Sequence, residues 1–196
     1  MKKSQIVYLP FKRIIDIVGS FLGIIFCLVF LWWWVVIINI FVCRGRPVFA
    51  NFRVGKNGKP FRCVKFRSMS KKANPNMTSR DKDAKLYVTK FGSFLRKTSI
   101  DETPQLLNVF LGQMSFIGPR PLIGESEDIL TINKRKENGS IVLKPGLTGY
   151  AQINGRESVD PIIKGEMDGF YLENFSFWLD VKIFFITIFQ TFGIKK

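Results

Sequence analysis

From Ile17 to Cys43 the chain carries no charged residue, and beyond Cys43 apolar and polar positions begin to intermingle. At 1.5 Å per residue, Ile17–Ile38 makes a helix of about 33 Å, enough to cross a hydrocarbon core of about 30 Å. The run is too long for a cleaved signal peptide, and no small-x-small site precedes the next basic residues. It therefore predicts a membrane-inserted helix, residues 1–44, followed by a polar domain, residues 45–196. Lys2, Lys3, Lys12 and Arg13 stand before the run, and Arg44, Arg46, Arg53 and Lys56 after it. Basic residues favour the cytoplasmic face, so both ends are drawn to the same side. A hairpin that enters and returns satisfies both ends; a simple span satisfies one. Trp32-Trp33-Trp34 falls about 28 Å along a straight helix from Ile14, where the aromatic belt of a span would sit. A hairpin needs a break, and between Ile14 and Cys43 only Gly19, Ser20, Gly23 and Asn39 offer a weak one.

In the polar domain, PVFANFRV and KPFRCVKF flank GKNG, residues 55–58; Asn57-Gly58 predicts a β-hairpin. Residues 70–89 are polar and read as a mobile loop or lid. Residues 104–111 predict a short helix, with Thr103 or Ser99 as cap, Pro104 in its first turn and Gly112 at its end. Residues 124–139 read as a charged helix and 144–156 as a glycine-rich loop. The tail, FSFWLDVKIFFITIFQTFGIKK, ends in an apolar helix. Its uncharged part, Ile183–Ile194, is about 18 Å long, too short to span, and suits a core or a membrane interface. These elements predict a small, α-rich domain with a β-hairpin behind an N-terminal membrane helix.

Composition narrows the chemistry. Thirty Lys and Arg against fifteen Asp and Glu give a net charge of +15, so the surface attracts anions: nucleic acid, lipid headgroups or a phosphorylated substrate. There is no histidine, which removes His-based acid–base catalysis, Ser-His-Asp triads and His-ligated zinc. Cys27, Cys43 and Cys63 are far apart and form no CxxC pair, which fits a reducing compartment. No internal repeat, GxGxxG or Walker sequence is present.

Against this basic background, Asp101 and Glu102 stand together just before Pro104. One reading is structural. Ser99-x-x-Glu102 is a capping box, and acids at a helix start contribute about 0.3–1 kcal/mol each. The other is chemical. Basic residues beside glycine, proline or aromatic positions recur in KFRSM (65–69), FLRKTS (94–99), GPRP (118–121) and INGR (153–156). Arginine forks suit phosphate oxygens. A carboxylate among such arginines is expected to have a depressed pKa and to be ionised. It is then able to act as a nucleophile or to hold Mg²⁺ against phosphates.

KFRSM, then LRKTSIDETPQLLNVFLGQMSFIGPRP, then KPGLTGYAQINGR, then a final DVKIFF-type helix resembles the bacterial sugar transferases known as monotopic phosphoglycosyl transferases. The resemblance runs from about Phe11 to Ile194. It implies transfer of a phosphosugar from a UDP-sugar to undecaprenyl phosphate, releasing UMP, as a membrane step of surface glycoconjugate synthesis. It maps the catalytic dyad onto Asp101 and Glu102. Asp101 would form a covalent phosphosugar–aspartate, and both acids would hold Mg²⁺. Lys65, Arg67, Arg96, Arg120 and Arg156 match basic positions expected to bind substrate. It also implies an α/β, α-rich fold in which a small catalytic domain with a β-hairpin lies beneath a re-entrant membrane helix, with interfacial amphipathic helices, on the cytoplasmic face of the inner membrane, in contact with membrane lipids and with no nucleic-acid partner. The chain departs from the family pattern in two places. FCLV, residues 26–29, replaces the Ser-Pro pair usual at the break of the membrane helix, and Glu157-Ser158 follows INGR. The competing reading is a non-enzymatic, membrane-anchored module that binds nucleic acid or anionic lipid through charge. The sugar, the pathway and the oligomeric state, a homodimer included, stay open.

Overall fold

The structure is a computed structural model that describes residues 2–73, 83–124, 126–155 and 159–191. It is helix-rich, with two small two-stranded sheets. The N-terminal apolar run forms one uninterrupted helix, Lys3–Cys43: α1 (Lys3–Cys27), a π-helical turn (Leu28–Trp32) and α2 (Trp33–Cys43). The hairpin break expected near residues 26–29 is not found. Cys27, Leu28, Trp32 and Trp33 all keep right-handed helical dihedrals. Without a proline no backbone N–H is lost, and a π turn absorbs the irregularity while the helix continues.

This helix lies against the rest of the chain from end to end. Near its start, Gln5 Nε2 donates to the Leu172 carbonyl, and Tyr8 and Lys12 both donate to Asp180. Arg13 donates to the carbonyls of Val109 and Phe110, and Asp16 accepts from Ser115 Oγ and the Phe116 N–H. Further along, glycines permit close approach: a Cβ on Gly19 would lie 2.8 Å from Phe116, and one on Gly23 3.1 Å from Leu106. Val35 then packs with Phe66 and Leu95, and Asn39 Nδ2 donates to the Pro47 carbonyl. Buried positions Asp16, Ser20, Cys27, Val35, Asn39 and Cys43 recur at helical spacing along one stripe. The other faces leave Phe11, Ile14, Val18, Phe21, Leu22, Phe26, Phe30, Ile37 and Phe41 exposed.

The predicted hairpin is present: β1 (Val48–Val54) pairs antiparallel with β2 (Pro60–Phe66). Asn57 and Gly58 take left-handed dihedrals, φ 57° and 75°, the conformation for which Asn-Gly is suited. The chain continues through α3 (Ala84–Tyr87), α4 (Lys90–Lys97), α5 (Gln105–Phe110), β3 (Ser115–Ile117), α6 (Ser126–Glu137), β4 (Gly146–Thr148), α7 (Tyr150–Ile153), α8 (Pro161–Asn174) and α9 (Phe177–Thr191). β3 and β4 form a parallel pair that sequence pattern does not announce. Three residues each are too few for a period-2 signal. Of the polar stretch 70–89 expected to be a lid, residues 74–82 lie outside the described residues, and part of the remainder is the short helix α3.

Three apolar clusters join these elements. Phe61, Cys63, Val109 and Met114 link β2 to α5; Ile117, Tyr171, Phe175 and Ile183 link β3 to α8 and α9; Val35, Phe66 and Leu95 link the long helix to β2 and α4. α9 buries Asp180 and Ile183 but leaves Phe177, Trp178, Phe184, Phe185 and Phe189 exposed, Trp178 by 77%.

Candidate active site

Asp101 and Glu102 sit in a 3₁₀ turn, Ile100–Glu102, between α4 and α5. The capping box expected from Ser99-x-x-Glu102 is not formed. Ser99 makes no side-chain cap bond and instead takes a left-handed conformation, φ 57°, that turns the chain out of α4. Pro104 is the residue preceding the first turn of α5. Glu102 therefore does not reach back to a helix start; its Oε1 receives Lys65 Nζ at 2.6 Å from the adjacent strand β2. The turn is also tied to the membrane helix. Trp32 Nε1 donates to Thr103 Oγ1 at 3.0 Å, and that hydroxyl donates to the Ile100 carbonyl at 2.9 Å. One indole thus fastens the π turn to the backbone that carries the dyad.

The two acids differ in environment. Asp101 is 8% exposed, and its carboxylate accepts from its own backbone N–H and from no side chain among the described residues. Burial, then the charge of Glu102, push its pKa from 3.8 up to about 6, against the pull of Lys65 and Arg96. The depressed value expected from the sequence is thus reversed, because desolvation outweighs the neighbouring cations. Burial also acts to raise Glu102, but Lys65, Arg120 and Arg53 together hold it below its usual value. The pair is divided into a carboxylate that stays ionised against Lys65 and one whose charge is held at a cost.

Of the basic residues expected here, Lys65, Arg96 and Arg120 bear on the dyad. Arg96 Nε is braced by Ser68 Oγ at 2.8 Å. Arg67 makes its contacts elsewhere: Nε donates to the Arg46 carbonyl at 2.9 Å, and the guanidinium lies 5.8 Å from the centre of the Phe49 ring. Two residues on from Lys65 and past the end of β2, it is drawn to the segment that leaves α2. Arg156 lies outside the described residues, as do Glu157 and Ser158.

Residues that the sequence did not mark for this site also contribute. Arg53 on β1 acts on Glu102 and reaches the Pro121 carbonyl at 3.5 Å. Its signal was slight, a lone arginine between the apolar positions Phe52 and Val54. Arg135 on α6 is buried; its Nε donates to Asp168 Oδ2 of α8 at 2.7 Å, and both Nη atoms donate to the Arg120 carbonyl at 3.1 Å. This buried pair fixes the backbone that presents Arg120. Nothing in a surface-like run such as NKRKEN distinguishes it.

Among the described residues no group of three Asp, Glu, Cys or His side chains gathers to hold a metal ion. Two adjacent carboxylates nevertheless fit Mg²⁺, which takes one or two protein carboxylates and completes its shell with water and substrate phosphates. Asp101, with no side-chain partner among the described residues, is the freer donor of the two, since Glu102 is held by Lys65.

The structure thus sets two adjacent carboxylates among cations, beside a helix that is by length and composition apolar enough to cross a membrane. The sequence profile of the family described as bacterial sugar transferase matches residues 7–193, and the chain belongs to that family. It is 38% identical over 195 residues to an uncharacterised sugar transferase of Haemophilus influenzae, covering 90% of this chain and 40% of that protein. It is 43% identical over 145 residues to the uncharacterised sugar transferase EpsL of Bacillus subtilis, covering 74% and 69%. It is 40% identical over 162 residues to a UDP-glucose:undecaprenyl-phosphate glucose-1-phosphate transferase of Klebsiella pneumoniae, covering 78% and 34%. The chain thus spans about two fifths of the Haemophilus relative and about a third of the Klebsiella one.

Proposed function

We propose that this protein transfers a sugar-1-phosphate from a UDP-sugar to a polyprenyl phosphate, undecaprenyl phosphate in the cell, with Asp101 as nucleophile. The observation that carries the reading is a buried aspartate, with no side-chain partner among the described residues, beside a lysine-paired glutamate; Lys65, Arg96, Arg120 and Arg53 surround the two, and Thr103 ties their turn to an apolar helix. Relatives named for the same transfer support it.

The steps follow from the side chains. At neutral pH a carboxyl group titrating near 6 is ionised about ten to one. Its partial desolvation leaves the anion poorly solvated and reactive. An Asp101 oxygen attacks the sugar-bearing phosphorus; the bond to the bridging oxygen breaks, and UMP leaves with that electron pair. An oxygen of the polyprenyl phosphate then attacks the same phosphorus, forming a prenyl diphosphate sugar and restoring the Asp101 carboxylate. Lys65, Arg96, Arg120 and Arg53 reduce the repulsion between anionic nucleophile and anionic substrate. Asp101 and Glu102 would hold Mg²⁺, which when bound neutralises diphosphate charge.

The long helix gives the lipid substrate its route. Gln5, Tyr8 and Lys12 at one end and Asn39 and Cys43 at the other contact the same folded domain. On this reading, a helix held to one domain through both halves keeps its two ends on the same side of the bilayer. Its exposed apolar faces then enter the cytoplasmic leaflet of the inner membrane without carrying the chain across. On the same reading, the aromatic residues that α9 leaves exposed meet that interface.

The test is UMP release from a panel of UDP-sugars by protein in nanodiscs with Mg²⁺, with and without undecaprenyl phosphate. Sustained release with one sugar, dependent on the lipid and absent in Asp101→Asn, is expected. Wild-type turnover by Asp101→Asn would sink the covalent step. No release from any sugar, together with salt-sensitive anion binding that survives Asp101→Asn, would favour a non-enzymatic binding module.

A further inference from the structure

A second cationic site lies at the other end of α5 from the dyad. Arg13 Nη1 and Nη2 cap that end, donating to the Val109 and Phe110 carbonyls at 2.7 Å each. Gly112 follows with φ 81°, and a Cβ placed on it would sit 3.1 Å from Arg13 Nη2 and 3.6 Å from Lys144 Nζ. The two cations therefore flank one spot. Lys144 is half-buried and, among the described residues, its ammonium donates to no acceptor. Burial and the charges of Arg13, Lys56 and Lys12 all push its pKa below the usual lysine range, with Asp16 offsetting them in part. Asp16 is itself occupied by Ser115 and the Phe116 N–H, and Lys12 by Asp180. A half-buried ammonium among other cations, with no bonded counter-charge, is unfavourable unless an anion joins it.

The surroundings say which anion. Phe110 and Leu111 immediately precede Gly112 and are exposed, Leu111 by 70%. Phe21 of the membrane helix lies 6.2 Å from the Phe110 ring, centre to centre, and Val142, two residues before Lys144, is exposed. Arg13 also stands where the charged start of the long helix gives way to its uncharged run, the depth of the headgroups. A cation pair rimmed by exposed apolar side chains matches a phosphate attached to acyl chains. It does not match the reacting phosphate, because Arg13 and Lys144 are not among the cations that act on Asp101 or Glu102.

We propose that Arg13 and Lys144, with Lys56 nearby on the hairpin turn, bind the phosphate of an anionic phospholipid of the surrounding leaflet, outside the catalytic cluster, and fix the height at which the domain sits.

Thermal unfolding of the full chain in zwitterionic detergent, titrated with phosphatidylglycerol, phosphatidylcholine or inorganic phosphate, tests it. Phosphatidylglycerol at about a hundredfold excess over its Kd is expected to raise Tm by about 5–10 °C; phosphatidylcholine and phosphate at equal concentration are not. Lys144→Gln is expected to lose that shift while unfolding no lower than wild type in detergent alone, since it removes an unpaired charge. Lys136→Gln, on the exposed end of α6, and Asp101→Asn are expected to keep the shift. Four results would each overturn the proposal: equal shifts with both lipids, the full shift with phosphate alone, a retained shift in Lys144→Gln, or an equal loss in Lys136→Gln. Loss of the shift in Asp101→Asn would place the anion at the dyad and overturn it as well.

Discussion

Replacing Asp101 by Asn is expected to abolish turnover and at the same time to stabilise the folded protein, but only where the wild-type carboxyl group is ionised. Its pKa is raised from 3.8 to about 6 in the fold, chiefly by burial and then by Glu102. For a group whose folded value is raised, the associated stability is fully present below pH 3.8 and is lost as pH climbs through about 6. The whole difference amounts to about 3 kcal/mol. Asn has nearly the same shape and no charge, so it avoids that loss. In metal-free buffer at pH 8, Asp101→Asn is therefore expected to melt above wild type by as much as about 6–12 °C. At pH 4.5 the gap is expected to shrink to about a third, and it closes below pH 3.8. The assay is a thermal melt in detergent with chelator at both pH values, beside UMP release in nanodiscs. An Asp101→Asn protein that melts at or below wild type at pH 8 would refute the claim that the site holds this charge at a cost. Mg²⁺ is expected to narrow the gap by stabilising wild type selectively.

The same electrostatics set the pH dependence of the reaction. As pH falls below about 6, kcat/KM is expected to drop about tenfold per unit, and Glu102→Gln, which removes one of the charges that raise Asp101, moves that limb to lower pH; an unmoved limb counts against Asp101 as the titrating group. Asp168→Ala leaves Arg135 buried without its carboxylate, so a loss of about 3–5 kcal/mol is expected in chemical denaturation. Because Arg135 also holds the Arg120 carbonyl, Arg135→Lys is expected to raise KM for the UDP-sugar more than it lowers kcat. Gly92→Ala is expected to unfold or displace α4, since its Cβ would stand 1.9 Å from the Ser68 carbonyl oxygen; normal melting and normal activity would contradict that packing.

The local elements were legible because short-range chemistry specifies them. Asn57-Gly58 between two apolar runs becomes a hairpin, and Pro104 and Gly112 bracket a helix, for reasons contained within a few residues. The uncharged run from Ile17 marks a helix long and apolar enough to cross a membrane. The dyad and Lys65, Arg96 and Arg120 were legible as motif residues, and these the fold does assemble. What sequence could not settle depends on burial and on partners distant along the chain. The sign of the Asp101 shift is one such case, since cations favour the anion while desolvation opposes it, and only the folded surroundings decide which prevails. The direction of Arg67, the recruitment of Arg53 and the bracing of Arg120 by Arg135 are others. So is the course of the long helix. Its apolar run sets its length and composition, but the contacts of Gln5, Lys12 and Trp32 with one domain decide how it lies, because packing across about 70 to 170 positions leaves no periodic trace in the chain.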